Sequence, residues 1–507
     1  MLIKRTSIAL LFVTFVLFLQ AQSNELLCGT QRDDLEQITW RLLRNRAALA
    51  QNSLQARSTY YIPIKFHIVS QDDGSGMIYF RHILDQLCAL NKDFAEMQIQ
   101  FYMKDNCHYV SDTRINENHY HYGYLMERDR DTSAINVWIV KTPYSPNPNA
   151  ITPGLYQSSK DWLVMSKNYI NSNSFALSHE IGHFFGLLHT FNGWDTDPWK
   201  ADKHGNPAPA SSPLNIPTEM ANGLNCRHAG DYICDTPPDY NFGFYWTTDC
   251  NYNGGARDPM GELVDPDESN FMSYFDLCNR GDYHFSSEQK NLIQTDLMSN
   301  SRNYIRDGFM PLFTKIEETV ELRSPTSGAQ VPYYNAIALE WSAVVGANNY
   351  LIEIDRVPNF TLQPQSFITS DTTFILNDLD PNRTYYWRIR PFNEYYACAA
   401  PTTPKSFKTG SIATATQNIR QLRDWNITPN PISRNTGAKI TFNTSEGFEV
   451  EINLYNTTGQ IVQHIGKQRF TPGLNTLQLI PEHLNAGIYF LRLQTNKGRL
   501  VEKIIVY

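Results

Sequence analysis

The residues His179-Glu180-Ile181-Gly182-His183-Phe184-Phe185-Gly186-Leu187-Leu188-His189 read H-E-x-x-H-x-x-G-x-x-H. Three imidazoles and a carboxylate at this spacing can hold a zinc ion and work on a water beside it. On a helix, His179 and His183 stand four residues apart and project from one face. Glu180 lies next to them, within reach of the same water. Gly186 has no Cβ, so the chain can turn sharply there and return His189 as a third ligand. Three protein ligands on tetrahedral zinc leave one position open, which marks a catalytic rather than a structural site. The competing reading is an amphipathic core helix with ordinary histidines, and five fixed positions within eleven residues weigh against it. The expected chemistry is hydrolysis of peptide bonds in protein substrates, with Glu180 as general base toward water and then as proton donor to the leaving amine.

The surrounding chain has to export and position these groups. Lys4 and Arg5 precede an apolar run from Ile8 to Leu19, and Gln20-Ala21-Gln22-Ser23 follows. This pattern predicts a secretory signal peptide over residues 1–21, cut after Ala21. A bilayer needs roughly 20 apolar residues, and neither this run nor any other segment is that long, so no transmembrane anchor is expected. With 507 residues, about three or four domains are expected. A net charge of −8 and the lack of any Lys/Arg run give no reason to expect nucleic acid as a partner. Eight cysteines in an exported chain predict disulfides. Cys226, Cys234, Cys250 and Cys278 should form two that pin the lower wall of a cleft, with three pairings open.

Residues 22–58 are polar, with a helical look from Leu35 to Leu49 and no sign of a packed domain, and read as a pro-segment. Cys28, in Leu27-Cys28-Gly29-Thr30, is either a thiolate for the open zinc position or an ordinary thiol or disulfide partner. From Tyr60 the pattern is sharper. Ile62–Val69 alternates as a strand, Ile83–Phe94 has helical spacing, and Ile99–Tyr102 is a second strand. Ala134–Val140 is an apolar, central strand, and Trp162–Met165 is expected at the sheet edge above the cleft. Ser174 is the expected N-cap of the zinc helix.

Residues 191–225 read as polar loop. Beyond them Asp231, Asp235, Thr236 and Asp239 offer hard oxygen ligands suited to calcium, although the same residues also suit Asx turns. In Asn270-Phe271-Met272-Ser273-Tyr274, Met272 is expected to form an apolar base beneath the histidines. Tyr274 is expected near the metal, with a phenol able to assist an oxyanion. A helix from Ser287 to about Asn300 should close the domain.

The long zinc motif together with this methionine turn resembles the metzincins. Cys28-Gly29-Thr30, Asp231-Tyr232-Ile233-Cys234-Asp235-Thr236-Pro237 and Asn270–Tyr274 resemble the pappalysin/cytophagalysin family of secreted metalloendopeptidases, over about residues 26–300. The resemblance implies structural calcium, for which Asp231 and Thr236 are the candidates, and latency maintained by Cys28 as a zinc ligand in the precursor. It also implies a preference for a basic residue just after the scissile bond, for which Asp276 is the candidate acid.

Residues 318–410 carry short alternating strands. Trp341 and Leu379-Asp380-Pro381 before Tyr385 resemble a fibronectin type III sandwich with its tyrosine corner, expected to act as a spacer. After a Thr/Ala/Ser linker at 411–417, residues 425–507 resemble the C-terminal sorting domain of type IX secretion. This implies the type IX machinery as a partner and export across the outer membrane. The expected architecture is multidomain. An α+β metzincin-like domain (59–310), with a mixed twisted sheet and the zinc helix, precedes two all-β sandwiches. The rival function is a surface-binding protein with a vestigial zinc site, against which the intact Glu180 and the open coordination position count.

Overall fold

The computed structural model describes residues 28–49, 59–145, 151–306, 314–362, 364–377, 379–412, 422–433, 437–444, 447–481, 484–495 and 499–507. The signal peptide, the ends of the pro-segment and most of the 411–417 linker lie outside the described residues. No helix among the described residues is long and apolar enough to cross a membrane.

The first body is an α/β unit. Its strands are β1 (Tyr60–Ser70), β2 (Ile99–Met103), β3 (His108–Ser111), β4 (Ile135–Val140), β5 (Gly154–Gln157) and β6 (Trp162–Ser166). The sheet order is β2-β1-β4-β6-β5, with β3 also pairing β1. Strands β1, β2, β3, β4 and β6 run parallel to their partners, and β5 pairs antiparallel to β6. Every residue of β4 and β6 is buried, the two-sided burial that produces unbroken apolar runs in parallel strands. This corrects the expected edge. Trp162–Met165 lies inside the sheet, and the edge is the short β5, whose four residues carry too little pattern to read.

The helices are α1 (Arg32–Leu49), α2 (Phe80–Asp93), α3 (Thr113–Asn118), α4 (Gly123–Arg128), α5 (Ala176–Phe184), α6 (Ala201–His204) and α7 (Ser287–Met298). On α2, Ile83, Leu84, Leu87 and Leu90 are fully buried in the core shared with α5. Helix α5 starts after Ser174. Phe175 occupies the N-cap position, while the Ser174 hydroxyl accepts from the Ala176 N–H at 3.2 Å. Helix α7 opens with a capping box between Ser286 and Gln289.

Helix α1 covers the stretch expected to be helical, and its polar composition hides a packed face. Leu35, Ile38 and Leu42, spaced to share one face, enter the same core as α2 and α5. Arg41 donates to the carbonyls of His183 and Phe184 at 2.9 and 2.8 Å, satisfying orphan acceptors at the C-terminus of α5. Asn45 donates to the buried Asp296 of α7 at 2.8 Å.

The second body is a sandwich of a five-stranded and a three-stranded sheet formed by strands between Leu322 and Ile412. Trp341, Tyr350, Trp387 and Phe407 fill it. The Tyr385 hydroxyl accepts from the Asp380 N–H at 2.9 Å. The sandwich is fastened to the α/β unit. Cys88 of α2 is disulfide-bonded to Cys398. Arg390 pairs with Asp85 at 2.5 Å, and Glu353 accepts from both Arg81 and Arg388. Tyr395 stacks on Tyr102, and Leu351, Phe392 and Ala397 join the α/β core. The third body, from Leu422 to Val506, has seven strands around Ile440, Phe442, Ile452, Leu491 and Ile504.

Candidate metal centre

The spacing read from the sequence becomes geometry on α5. The nitrogens of His179, His183 and His189 and the sulfur of Cys28 all lie within 4.8 Å of one another. Two glycines allow this. Gly186 has φ +90°, so the chain reverses after α5 and brings His189 back. Gly182 faces Met272, and a Cβ at 182 would collide with the Met272 sulfur. Met272 therefore packs directly beneath the helix that carries two of the histidines.

Each imidazole is oriented from behind. The Nδ1–H of His179 donates to the Phe271 carbonyl at 2.7 Å, and that of His183 to the Leu187 carbonyl at 2.8 Å. The Nδ1–H of His189 donates to Asp195 Oδ1 at 2.6 Å. With the three protons on Nδ1, all three Nε2 lone pairs point inward. His179 Nε2 is buried and has no hydrogen-bond partner among the described residues. Burial, with the neighbouring imidazoles, lowers the pKa of His179 to about 3 and pushes that of His183 well below its usual value. Three neutral imidazoles offering converging lone pairs are the donor set zinc takes.

Asp195 was not legible as a site residue because it sits in the polar 191–225 stretch. The signal that could have found it is chemical: a neutral histidine ligand needs an acceptor for its second nitrogen. Asp195 also accepts from the Gly193 N–H at 2.8 Å, so its carboxylate is itself held in place. Asp195→Asn is expected to weaken zinc binding about 10–100-fold while leaving the thermal unfolding of the zinc-free protein unchanged. Competition with a chromogenic chelator reads the zinc dissociation constant, and an unchanged constant removes Asp195 from the centre.

The remaining contacts at the centre come from the N-terminal segment. The Cys28 thiol is free and lies 3.6 Å from Glu180 Oε2. The Cys28 N–H donates to the Tyr274 hydroxyl at 2.9 Å, and Thr30 Oγ1 donates to Glu180 Oε2 at 3.4 Å. The Gly29 N–H donates to the Gly154 carbonyl at 2.8 Å, so this segment pairs with the edge strand β5. Burial raises Glu180 to about 8, opposed by the hydrogen bonds from Cys28 and Thr30. Burial, reinforced by Glu180, pushes the Cys28 thiol well up, and burial does the same to the Tyr274 phenol.

Beside Glu180 opens a cavity of about 370 Å³, walled by Tyr169, Phe175, Tyr274, Asp276 and Tyr283 among others. Burial raises the Asp276 carboxyl above its usual range. Cys278, bonded to Cys250, lines this cavity, whereas Cys226–Cys234 closes a short loop that is not part of its lining.

The oxygen-rich segment divides by role. Asp239 is fully engaged, accepting from Thr190, Ser273, Asn241 and Phe242, so it ties the methionine turn to the chain after His189. Asp235 accepts from Ser286 and Glu288 at the start of α7. Asp231 is buried and accepts from Thr236 Oγ1 at 3.0 Å. Beside it lies Glu219, a buried residue that sequence reasoning missed. Glu219 Oε2 and Thr218 Oγ1 have no partner among the described residues. Burial, then the Asp231 charge, raises Glu219 to about 10, and burial raises Asp231 well above its usual value. Among the described residues, the groups acting most strongly on the two carboxylates include no lysine or arginine.

Residues 426–507 match the family model described as a secretion system C-terminal sorting domain. The chain is similar to an extracellular metalloprotease of Colletotrichum graminicola, with 27% identity over 183 residues, 33% of this chain and 65% of that protein. It thus spans just under two thirds of that relative's length. An extracellular metalloprotease of Neurospora crassa is 28% identical over 278 residues, 50% of this chain and 81% of that protein. Among solved structures, the fibronectin(III)-like modules of Clostridium thermocellum CbhA align at 14% identity over 37% of this chain and 93% of that chain, with a TM-score of 0.15. The three sheet-bearing bodies and the C-terminal match make the chain multidomain, an α/β region followed by β-structure that ends in a region matching a secretion sorting domain.

Proposed function

We propose that the chain is the latent precursor of a secreted zinc metalloendopeptidase. One observation carries this reading: three imidazoles, each committed at Nδ1, turn their Nε2 atoms toward a single point beside a buried glutamate. His179, His183 and His189 would hold zinc, which when bound supplies a Lewis acid and lowers the pKa of water. Glu180 takes the proton from the attacking water and passes it to the leaving amine. Tyr274 places a phenol where negative charge develops on the carbonyl oxygen. The β5 edge aligns an extended peptide by strand addition, in the way Gly29 now pairs with Gly154. Asp276 gives the neighbouring cavity a carboxylate that a basic side chain following the scissile bond would neutralise.

Cys28 serves as the off-switch in this reading. Its segment touches Glu180, Tyr274 and the sheet edge together. Residues 22–58 are then the pro-segment, 59–310 the catalytic domain and 318–410 a fibronectin type III-like module. The final domain directs export through type IX secretion. The similarity to extracellular metalloproteases supports the same reading. Incubation of the activated protein with a peptide library, with and without a zinc chelator, tests it. Chelator-sensitive cleavage is expected, and no cleavage of any peptide refutes it.

Calcium at Asp231, Thr236 and Glu219 would neutralise two adjacent buried carboxylates and give the unpartnered Glu219 Oε2 a partner. Added calcium at about a hundredfold its dissociation constant is expected to raise Tm by about 5–10 °C. Asp231→Asn should abolish that shift in a differential scanning experiment. A Tm indifferent to calcium excludes the site.

A further inference from the structure

The catalytic cavity is the first of three in a row. The second, of about 610 Å³, shares Tyr283 with it and lies where α2 and the 280–285 segment meet the sandwich. The third, of about 550 Å³, shares Lys92, Cys398 and Ala399 with the second and continues along the same seam. The outer walls belong to the sandwich. They are fixed by the Cys88–Cys398 disulfide and the Arg390–Asp85 pair, so the seam is preformed rather than opened by a partner.

Charge changes sign along this path. The catalytic cavity is lined by Glu180 and Asp276 and by no lysine or arginine. In the middle cavity Arg280, Lys290 and Arg390 are each paired, with Asp93, Glu96 and Asp85 respectively. The far cavity is lined by Lys92 and Lys315 and by no carboxylate. Lys92, shared with the middle cavity, is exposed and forms no ion pair within 4 Å among the described residues, although its charge acts on the neighbouring Asp93. Lys315 has only a 3.9 Å contact with Glu317, both of them mostly exposed, a geometry worth little in water.

We propose that this seam is an extended substrate trough whose far end selects acidic residues in the flank of the polypeptide remote from the scissile bond. The inference rests on the metalloendopeptidase reading for the identity of the occupant. A polypeptide spanning the trough presents a basic side chain to Asp276 and carboxylates to Lys92 and Lys315. The sandwich is then part of the specificity apparatus, not only a strut.

The test uses activated protein and peptides that share one cleavable centre but carry glutamate, serine or lysine tails of increasing length on either side. The glutamate tail on one side is expected to raise kcat/KM over the lysine tail once it is long enough to reach the far cavity. In the double variant Lys92→Glu/Lys315→Glu the ratio of the two is expected to fall by about tenfold. High salt should shrink the ratio in wild type. A ratio unchanged by the double variant overturns the trough, as does a preference independent of tail length. Fluorescence anisotropy with the labelled glutamate-tailed and lysine-tailed peptides measures the same preference without cleavage. If wild type cleaves nothing, the protease reading fails while binding still decides the trough. Equal binding of the two tails overturns it.

Discussion

Glu180→Ala is expected to keep about one zinc per chain and to lower kcat/KM on peptides by about a thousandfold or more, within the range general-base catalysis supplies. The separation of the two effects follows from how the centre is built. The histidines are oriented by the Phe271 and Leu187 carbonyls and by Asp195, none of which depends on Glu180. Among the described residues the Glu180 carboxylate accepts from Cys28 and Thr30 of the N-terminal segment and from the backbone of Tyr156, and it orients none of the imidazoles, so removing it leaves the imidazole set intact. Metal analysis and steady-state kinetics on the same activated preparation check this. Activity near wild type would remove Glu180 from the reaction. Loss of zinc together with activity would mean that it supports the centre instead.

Cys28→Ala in the precursor is expected to raise basal activity roughly a hundredfold above the wild-type precursor, the scale of one protein ligand's share in a zinc site. The rise should stop short of the activated enzyme. Gly29 still pairs with Gly154, and Thr30 still donates to Glu180, so the segment keeps competing with substrate along β5. A precursor assay before any processing reads the effect. Latency unchanged by the substitution would show that the segment blocks the cleft by pairing alone.

The site was readable from sequence where its geometry is local. His179, His183 and Glu180 lie on one helix, and Gly186 returns His189 within three residues, so spacing alone predicts their convergence. Met272 and Cys28 are far away in sequence; thiolate chemistry makes Cys28 a candidate with an ordinary thiol as its alternative, Met272 is a candidate only because the zinc motif precedes it, and the resemblance strengthens both. What escaped reading is what long-range packing decides. Asp195 and Glu219 sit in a polar stretch where nothing marks a carboxylate as buried. The β5 edge is four residues long, and β6 looks like an edge strand only until both its faces prove covered. Helix α1 reads as polar because its three core residues are spread over two turns. The fastening of the sandwich was invisible because Cys88 and Cys398 are 310 residues apart and each, taken alone, is just one more thiol in an exported chain.

That same bond gives the molecule a ring topology. Every residue from 88 to 398, the three histidines included, belongs to one covalent loop. Closing a loop of this length removes a large share of the unfolded chain's freedom, about 2–5 kcal/mol for a native bridge. A nick anywhere inside the ring yields two chains that remain one molecule and separate only under reduction. A cut beyond residue 398, such as one that sheds the final domain, leaves the ring closed. On an electrophoretic gel the two kinds of cut look alike with reductant and differ without it, so the ring itself reports where the protein has been processed.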